Sequence, residues 1–450
     1  MTKPIIAIVG RTNVGKSTLL DRLAGKRLAV VADLPGTTRD RLFALASWQG
    51  RELTLIDTGG WQAKPQLLLE QKVIQQVEIA VAQADVIIFM VDARDGLIAA
   101  DEEIAEVLRT VNKPIILAVN KVDSAKQANQ VADFYQLGTG KPIAISAYHN
   151  RGMDELMDIV LAALPPPLPI SLVESEEAKL AIVGRPNVGK STLLNALLGD
   201  ERAIVHEAPG TTRDALDAEV CWDDRKFLLI DTAGIKRRGR VDSGIDYYSL
   251  LRALQAINRC DVALLLIDAS EFITAQDMHI AGYIIEVGKG IILVVNKWDL
   301  VPRAQRQEFK QYMVQRVKFI SYAPIVYISA ELRQNIDGVL PQAWQIWQER
   351  QKRLPQAEVN MVVKQAVSSH PPPRTGSKQL RIVQAYQDES RPATVILQVN
   401  NPQLVHFSYQ RYLENKLRHN FGFRGVPLQL IFTKATHKSN KKTEVVNLKM

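Results

Sequence analysis

The phosphate-binding pattern G-x-x-x-x-G-K-[ST] occurs twice in this chain, with its two copies 174 positions apart. Gly10–Ser17 reads GRTNVGKS and Gly184–Ser191 reads GRPNVGKS, so the copies agree at seven of eight positions. In such a loop the backbone N–H groups surround the phosphates of a nucleotide. Two copies this similar predict a duplicated nucleotide-binding fold.

Four further motifs recur in the same order after each loop. The copies pair T-T-R-D at 37–40 with 211–214, D-T-x-G at 57–60 with 231–234, N-K-x-D at 120–123 with 296–299, and S-A at 146–147 with 329–330. The spacing is 174 for the first two motifs and 176 at N-K-x-D, which a net insertion of two residues explains. A whole domain is therefore repeated, and not the loop alone.

Short apolar runs alternate with helical stretches in each copy. Nearly continuous Val/Ile/Leu runs are typical of strands covered on both faces. The predicted strands are Ile5–Val9, Leu53–Ile56, Val86–Val91, Ile115–Val119 and Ile143–Ile145 in the first copy, and Leu180–Val183, Phe227–Ile230, Val262–Ile267, Ile291–Val295 and Ile325–Ile328 in the second. We therefore predict two doubly wound α/β domains with mostly parallel sheets, which bind ligands at the carboxyl ends of their strands.

The pattern changes beyond residue 350, where a helix, two strands, a helix and a strand predict a small α+β domain. These elements are Val359–Val367, Leu380–Tyr386, Ala393–Val399, Leu404–His419 and Leu428–Phe432. We expect a first domain at 1–164, a Pro-rich linker at 165–177, a second domain at 178–350, the small domain at 351–437 and a basic tail at 438–450.

The basic excess of the chain lies in its last hundred residues. Residues 351–450 carry 16 Lys/Arg and 5 Asp/Glu, whereas the rest of the chain has a net charge of −3. This asymmetry favours a polyanionic partner at that end, although a solubility-promoting surface is an equal alternative. The two cysteines, Cys221 and Cys260, have no metal or redox spacing, and no apolar run approaches a membrane span. We expect a reducing, cytoplasmic location.

Each phosphate loop ends in a lysine and a serine. The lysine is expected to reach the β- and γ-phosphates, and the serine to ligate Mg²⁺. The aspartate of D-T-x-G ends a buried strand, where a carboxylate can hold Mg²⁺ through water. The predicted Mg²⁺ ligands of these two motifs are Ser17, Asp57, Ser191 and Asp231.

The N-K-x-D motif decides which base is bound. An aspartate carboxylate accepts hydrogen bonds from the N1 and N2 hydrogens of guanine, whereas adenine offers no such pair of donors. ATP would leave Asp123 or Asp299 unpaired, and polar sites discriminate by losses of this kind. Asn120 and Asn296 are expected to support the base, and each S-A pair to close over it. We therefore predict GTP or GDP at both sites.

The predicted nucleotide contacts follow these motifs through both copies. In the first copy they are Gly10, Arg11, Thr12, Asn13, Val14, Gly15, Lys16, Ser17, Asp57, Thr58, Gly59, Gly60, Asn120, Lys121, Val122, Asp123, Ser146 and Ala147. In the second copy they are Gly184, Arg185, Pro186, Asn187, Val188, Gly189, Lys190, Ser191, Asp231, Thr232, Ala233, Gly234, Asn296, Lys297, Trp298, Asp299, Ser329 and Ala330.

The residue after each D-T-x-G motif is not the glutamine with which Ras orients its attacking water. Trp61 and Ile235 stand there, and neither can orient water. The asparagine inside each phosphate loop, Asn13 or Asn187, makes the chain resemble GTPases that bind K⁺ beside the phosphates. In those proteins the asparagine is a K⁺ ligand, and the cation neutralises charge as an arginine finger does. The alternative is that each asparagine only braces its loop.

This resemblance also implies roles for the T-T-R-D motif. In K⁺-binding GTPases its first threonine ligates K⁺ and its second ligates Mg²⁺. The implied K⁺ ligands are Asn13, Thr37, Asn187 and Thr211, and the further Mg²⁺ ligands are Thr38 and Thr212. The residues expected to take part in catalysis are Lys16, Asn13, Thr38, Lys190, Asn187 and Thr212.

The two copies differ directly after D-T-x-G, where a nucleotide-sensing segment should lie. The second copy has KRRGR at 236–240, and the first has WQAKP at 61–65. A basic segment there can contact RNA or another domain in one nucleotide state, although a solvated loop is an equal alternative. We predict similar chemistry but different roles for the two copies.

Tandem GTPase motifs followed by a small basic domain resemble the Der (EngA) family of bacterial ribosome-assembly GTPases. The resemblance runs from about Pro4 to His437, and His370–Pro373, Leu404–Leu417 and Phe421–Phe423 look like that family's KH-like domain. It implies GTP hydrolysis coupled to maturation of the large ribosomal subunit and binding to its rRNA. The sequence GFRG at 422–425 matches the GXXG of KH domains, but it is predicted to join a helix to a strand, so we interpret it as a helix C-cap.

Three classes of function are compatible with these motifs. A nucleotide-controlled switch on pre-ribosomes is the leading hypothesis, and we expect a monomer because the two GTPase domains can pair within one chain. A K⁺-dependent GTPase of a tRNA-modification pathway is the alternative, but it would need a catalytic domain with a reactive Cys or a cofactor motif. A membrane-associated GTPase would need an amphipathic or spanning helix.

Overall fold

Two open sheets, one in each copy of the repeat, present the nucleotide motifs at their strand ends. The computed structural model describes residues 3–24, 43–57, 77, 80–81, 84–164, 177–199, 203–206, 217–232, 245–375, 378–389 and 393–435. The chain forms two units, Met1–Trp344 with both sheets and Gln345–Met450 with the small domain, and their division falls within one helix. Each unit is described by itself below.

The first sheet has six strands in the order β2-β3-β1-β4-β5-β6. Neighbouring strands are parallel except for the β2–β3 pair. The strands are β1 (Ile5–Val9), β2 (Phe43–Trp48), β3 (Arg51–Asp57), β4 (Val86–Asp92), β5 (Ile115–Asn120) and β6 (Ile143–Ala144). The described helices are α1 (Lys16–Ala24), α2 (Ala99–Arg109), α3 (Ala125–Gln130) and α4 (Met153–Ala163), with a 3₁₀ helix at Val131–Leu137.

The second sheet has seven strands in the order β13-β12-β11-β7-β10-β9-β8. They are β7 (Glu177–Val183), β8 (Ala203–His206), β9 (Ala218–Trp222), β10 (Arg225–Ile230), β11 (Val262–Asp268), β12 (Gly290–Asn296) and β13 (Ile325–Tyr327). The described helices are α5 (Lys190–Leu198), α6 (Ile245–Arg259), α7 (Ala275–Glu286), α8 (Arg306–Arg316) and α9 (Val339–Gln351), with 3₁₀ turns at Trp298–Leu300, Arg303–Gln305 and Lys318–Ile320. The predicted fold class, doubly wound and mostly parallel, is confirmed in both copies.

The sequence analysis missed the antiparallel strands at the edge of each sheet. Strand β2 alternates between half-buried and buried residues, so it has no continuous apolar run to reveal it. A two-residue turn of left-handed residues joins β2 to β3 (Gln49, φ 46°; Gly50, φ 80°), and a turn at Asp223 and Asp224 joins β9 to β10 in the same way. Neither Gln-Gly nor Asp-Asp is among the pairs that most strongly indicate a two-residue hairpin, so the signal in the sequence was weak.

A buried tyrosine of the second copy packs on the first. Tyr283 of α7 is fully buried, and its ring meets Phe43 of β2 edge-on with centroids 4.8 Å apart. The Tyr283 hydroxyl lies 3.1 Å from Oγ1 of Thr54 in β3, which is also buried. Burial raises the pKa of Tyr283 above its ordinary value, so the phenol stays protonated. At the edge of this contact, Lys3 Nζ lies 3.1 Å from Glu52 and donates to the carbonyl oxygen of Glu286.

The second unit contains a three-stranded sheet with two helices. Its strand order is β16-β17-β18, in which β16 and β17 are antiparallel and β17 and β18 are parallel. The elements are α10 (Gln356–Ser369), β14 (Arg374–Thr375), β15 (Lys378–Gln379), β16 (Ile382–Gln387), β17 (Thr394–Val399), a 3₁₀ turn at Pro402–Leu404, α11 (Phe407–Phe421) and β18 (Gln429–Lys434). The predicted order of helix, two strands, helix and strand is confirmed.

The GFRG segment ends helix α11 and does not join two helices. Gly422 is the C-cap with a φ of 87°, its amide donates to the carbonyl oxygen of Arg418, and β18 follows. Arg418 also donates to the carbonyl oxygens of Phe423 and Val426 at 3.0 and 2.9 Å, so its guanidinium group stabilises this turn. The interpretation as a helix C-cap is confirmed.

No helix among the described residues is both long and apolar enough to cross a membrane.

Removing the Tyr283 hydroxyl should loosen the contact between the two copies. In Tyr283→Phe the buried Thr54 hydroxyl loses its partner, which costs about 1 kcal/mol, and hydrogen exchange of the β3 amides should become about fivefold faster. A Thr54→Val/Tyr283→Phe double variant should exchange more slowly than the sum of the single effects predicts. Tyr135→Phe, at an exposed tyrosine of the first copy, is the control. If the effects of the two single variants on exchange are additive in the double variant, the two hydroxyl groups do not interact.

Candidate functional site

The phosphate loop of each copy leads from a strand into a helix. In the first copy Gly10 follows β1 and Lys16 begins α1. The second copy repeats this arrangement between β7 and α5. Asn13 and Asn187 both have a φ of 64°, a left-handed conformation that asparagine tolerates better than most residues, and both side chains are exposed. The two loops therefore have matching backbones.

One buried asparagine holds two loops together in each copy. Asn120 Nδ2 donates to the carbonyl oxygen of Val14 at 2.8 Å, and its Oδ1 accepts from the amide of Ala147 at 3.0 Å. Asn296 makes the same two bonds to the equivalent residues, both at 2.9 Å. The residue that we expected to support the base thus braces the phosphate loop against the S-A loop.

This asparagine leaves no room for a side chain on the glycine before the lysine. A Cβ on Gly15 would lie 2.4 Å from Asn120 Nδ2, and one on Gly189 would lie 2.2 Å from Asn296 Nδ2. Both glycines also have a left-handed φ, 100° and 95°. Only glycine fits this position, because the asparagine amide is fixed by its own hydrogen bonds.

The loop lysines are buried and turn back into their own loops. Lys16 Nζ donates to the carbonyl oxygens of Gly10 and Arg11 at 2.8 and 2.6 Å. Lys190 makes the equivalent bonds in the second copy. Burial lowers the pKa of Lys16, although the nearby Asp57 carboxylate opposes this shift. The two carbonyl groups therefore hold the ammonium group within the curve of the loop.

A hydroxyl and a carboxylate converge beside the first phosphate loop. Ser17 Oγ donates to Oδ2 of Asp57 at 2.8 Å, and Asp57 is buried at the end of β3. Oxygen donors of this kind suit Mg²⁺, which usually takes few protein ligands and completes its shell with phosphates and water. Among the described residues no three His, Cys, Asp or Glu side chains form a metal cluster. The donor set thus fits a nucleotide-bound Mg²⁺.

The equivalent carboxylate of the second copy has a different backbone. Strand β10 ends at Ile230, and Asp231 follows it with a φ of 59°. The Asp231 amide donates to Oδ1 of Asp217 at 2.9 Å, and Asp217 also binds Arg259 of α6 at 2.5 Å. An aspartate and an arginine outside the motifs therefore position this strand end.

The carboxylate that we expect to read the base in the first copy has three polar neighbours. Asp123 accepts from Ser146 Oγ at 2.7 Å and from Arg94 Nη2 at 2.7 Å, and His149 Nε2 lies 3.9 Å away. The hydrogen bonds from Ser146 and Arg94 hold the pKa of Asp123 below its ordinary value. This carboxylate is therefore ionised at neutral pH, as an acceptor for guanine must be.

An aspartate that the sequence analysis missed holds the lysine of each N-K-x-D motif. Lys121 pairs with Asp92 and donates to the carbonyl oxygen of Asn13 at 2.8 Å. Lys297 pairs with Asp268 in the second copy. Burial alone would raise the pKa of Asp268, but the hydrogen bonds from Lys297 and Ser270 lower it. The repeat could have revealed this aspartate, because β4 and β11 each end in an aspartate that is followed by an alanine.

Within the described residues, aromatic side chains pack around the N-K-x-D loop of the second copy and not around that of the first. Trp298 of N-K-W-D lies 4.4 Å from the Tyr327 ring and 5.5 Å from the Phe309 ring, measured between centroids. The Arg306 guanidinium lies 5.4 Å over the Trp298 ring and donates to its carbonyl oxygen at 3.2 Å. The first copy has the smaller Val122 at this position. The second loop is thus packed more firmly.

The arginine of each phosphate loop points away from the loop. Arg11 pairs with Asp95 at 2.5 Å and lies 3.5 Å from the buried Asp101 of α2. Arg185 lies 3.1 Å from both carboxylate oxygens of Asp277 in α7. Burial raises the pKa of Asp101 to about 6, because the Arg11 charge offsets only part of the lost hydration. Each arginine thus anchors its loop to the helix that follows β4 or β11, which is α2 in the first copy and α7 in the second.

Several predicted site residues lie outside the described residues. They are Thr37, Thr38, Thr58, Gly59, Gly60, Thr211, Thr212, Ala233 and Gly234, together with Trp61, Ile235 and the segments 61–65 and 236–240. The described members of each copy surround the carboxyl ends of β1, β3, β4 and β5, or of β7, β10, β11 and β12. This is where a doubly wound sheet binds its ligand.

Comparison with known proteins identifies the three domains. The family model described as "50S ribosome-binding GTPase" matches residues 5–121 and 179–297. The model described as "KH-domain-like of EngA bacterial GTPase enzymes, C-terminal" matches residues 353–433. These matches contain both phosphate loops and most of the Lys and Arg residues beyond residue 350.

Two relatives match almost the whole chain. GTPase Der of Chloroflexus aggregans is 46% identical over 98% of this chain and 100% of its own length. GTPase Der of Caldanaerobacter subterraneus subsp. tengcongensis is 48% identical over 95% of this chain and 98% of its own. A solved structure of Era from Aquifex aeolicus shares 21% identity over 57% of this chain and 93% of that chain, with a TM-score of 0.29.

Alanine at Gly15 or at Gly189 should weaken one nucleotide site strongly and spare the other. In Gly15→Ala or Gly189→Ala the new methyl group displaces the asparagine amide, and the left-handed backbone adds about 1–3 kcal/mol of strain. We expect GDP affinity at the altered site to fall about ten- to hundredfold, which isothermal titration would show as a loss of one of two binding events.

The matched control is Gly338→Ala, at a glycine with no atom within 4 Å of the added Cβ. This variant should keep both binding events. Two unchanged binding events in Gly15→Ala or Gly189→Ala would contradict the steric argument.

Proposed function

Because the chain belongs to the GTPase Der family, we propose that it is a GTP-driven molecular switch that acts in late assembly of the large (50S) ribosomal subunit. The chain is a GTP-hydrolysing enzyme with two GTPase domains and a KH-like domain. The observation that carries the proposal is the union of two guanine-type sites with an EngA-type C-terminal domain in one chain. The description of the matching GTPase model as ribosome-binding supports the 50S particle and its rRNA as partners.

Hydrolysis in P-loop GTPases depends on positioning and on charge stabilisation. The loop carbonyl groups hold Lys16 and Lys190 where we propose that each ammonium group meets the β- and γ-phosphates. The loop N–H groups bind the remaining phosphate oxygens. The braces made by Asn120 and Asn296 keep loop and base reader at a fixed separation.

Two sets of oxygen ligands are proposed for Mg²⁺. Bound there, the ion would neutralise charge on the β- and γ-phosphate oxygens. The Ser17 hydroxyl and the Asp57 carboxylate already face each other at hydrogen-bond distance, which supports the first set. The proposed ligands are Ser17, Thr38 and Asp57 in the first copy and Ser191, Thr212 and Asp231 in the second.

We also propose that each site binds K⁺. The left-handed conformation of Asn13 and Asn187 keeps both side chains exposed on the loop, where each amide oxygen can face a cation beside the phosphates. The threonines Thr37 and Thr211 would complete these sites. A cation there would neutralise the charge that an arginine finger neutralises in other GTPases.

The second unit offers a basic surface for rRNA phosphates. Its exposed basic side chains include the five that we propose as contacts, Lys364, Arg374, Lys378, Arg381 and Arg411. Arg418 is not among them, because its guanidinium group donates hydrogen bonds inside the turn after α11. Phosphate contacts of this kind position a protein on RNA without reading sequence. The five exposed residues therefore form the proposed rRNA contact.

We propose the domain boundaries that the sequence predicts. They are 1–164, a linker at 165–177, 178–350, 351–437 and a tail at 438–450. We further propose a cytoplasmic monomer, since the two copies already contact each other through Tyr283. A tRNA-modification GTPase is not favoured, because the C-terminal match is to the EngA domain.

Ribosome association should depend on the bound nucleotide. The full chain should co-sediment with purified 50S subunits in a non-hydrolysable GTP analogue at least tenfold more than in GDP. Lys16→Ala and Lys190→Ala, tested singly, should each weaken the response, because each removes one phosphate-binding charge. Gly338→Ala serves as the control with intact sites. Equal sedimentation in both nucleotides would refute the switch.

Hydrolysis should require K⁺ rather than Na⁺. At matched ionic strength the rate in KCl should exceed the rate in NaCl at least tenfold, because Na⁺ is too small for the same ligand distances. Asn13→Ala and Asn187→Ala should each reduce this stimulation, as measured by phosphate release. Equal rates in the two salts would show that the asparagines only brace their loops.

A further inference from the structure

The base-reading carboxylate of the first copy is held by a cation. Arg94 Nη2 donates to Oδ2 of Asp123, and Ser146 Oγ donates to Oδ1, both at 2.7 Å. His149 Nε2 lies 3.9 Å from the same Oδ1. Each carboxylate oxygen therefore already accepts a hydrogen bond from the protein.

The second copy lacks this arrangement. Ser270 stands where the first copy has Arg94, and both its amide and its hydroxyl donate to Asp268, at 2.8 and 2.6 Å. Leu332 stands where the first copy has His149. Within the described part of the chain, no residue donates a hydrogen bond to the Asp299 carboxylate.

The backbone around these residues is the same in both copies, so the difference lies in the side chains. The amide of Ala93 donates to the carbonyl oxygen of Asn120 at 2.9 Å, and the amide of Ala269 donates to that of Asn296 at 3.0 Å. Residue 94 and residue 270 each follow this bond directly. The Cα atom of an arginine at position 270 would therefore have the same position relative to its N-K-x-D loop as the Cα atom of Arg94 has.

Asp123 does not need Arg94 for its orientation. Its amide donates to Oε1 of Gln127 at 2.9 Å, and Gln127 forms a capping box with Ser124 at the start of α3. The hydroxyl of Ser146 holds one carboxylate oxygen in addition. Arg94 thus adds a charge to a carboxylate that other groups already position.

We propose that Arg94 is an affinity-setting residue of the first site, where it competes with guanine for the Asp123 carboxylate. The N1 and N2 hydrogens of guanine must use the oxygens that the protein donors use, and Arg94 weakens Oδ2 as an acceptor. The first site consequently binds guanine nucleotides more weakly than its motifs alone would allow. This inference rests on the proposed role of Asp123 in reading guanine.

The size of the effect follows from the exposure of the pair. The Arg94 side chain is 58% exposed, and ion pairs between exposed groups contribute little and are screened by salt. We expect a two- to fivefold effect on affinity that shrinks as ionic strength rises.

Reciprocal exchange between the copies tests the proposal. Arg94→Ser is made in a Gly189→Ala background, so that the first site alone binds, and Ser270→Arg is made in a Gly15→Ala background. Isothermal titration with GDP should show two- to fivefold tighter binding for Arg94→Ser and two- to fivefold weaker binding for Ser270→Arg. Both differences should fall towards zero between about 0.05 and 0.5 M salt.

Other outcomes separate the inference from the proposed function. Unchanged or weaker binding in Arg94→Ser would overturn the inference. Weaker binding is the result expected if Arg94 instead orients the Asp123 carboxylate for guanine. Arg94→Lys, which keeps the charge, should bind like the parent, and tighter binding in this variant would also count against competition. Asp123→Asn should lose GDP binding at the first site; normal binding there would instead refute the role of Asp123 itself.

Discussion

The proposed nucleotide sites depend on one side-chain amide in each copy, at the end of β5 or β12. Asn120 joins the phosphate loop to the S-A loop through two hydrogen bonds, and Asn296 repeats both within 0.1 Å. The same amide occupies the space that a side chain at Gly15 or Gly189 would need. The position of the phosphate loop and its requirement for glycine therefore both follow from a single buried group.

Around this shared frame the two copies differ where the base is read. The first surrounds its carboxylate with Arg94, Ser146 and His149, whereas the second places Trp298 in an aromatic cluster. In our proposal, competition by Arg94 weakens guanine binding in the first copy, whereas the packing around Trp298 supports it in the second. The two copies would then respond to different nucleotide concentrations.

Much of the fold could be predicted from the sequence, because buried parallel strands appear as uninterrupted apolar runs. The ends of β1, β4 and β5 lie within one residue of their predicted positions. The edge strands β2 and β9 could not be found in this way, since a half-buried strand shows only alternation. Pairs such as Arg11 with Asp101 were also missed, because motif spacing does not reveal which long side chains turn away from a loop.

The contact between Thr54 and Tyr283 depends on the order of the two GTPase domains along the chain. In the opposite copies, the positions equivalent to these two residues hold Leu228 and Val107. A chain with its two GTPase domains in reversed order would bring those aliphatic side chains together and lose the buried hydroxyl pair. The two GTPase domains are therefore not interchangeable, although their motifs are alike. Their order along the chain affects the stability of the contact between them, and selection can act on that order.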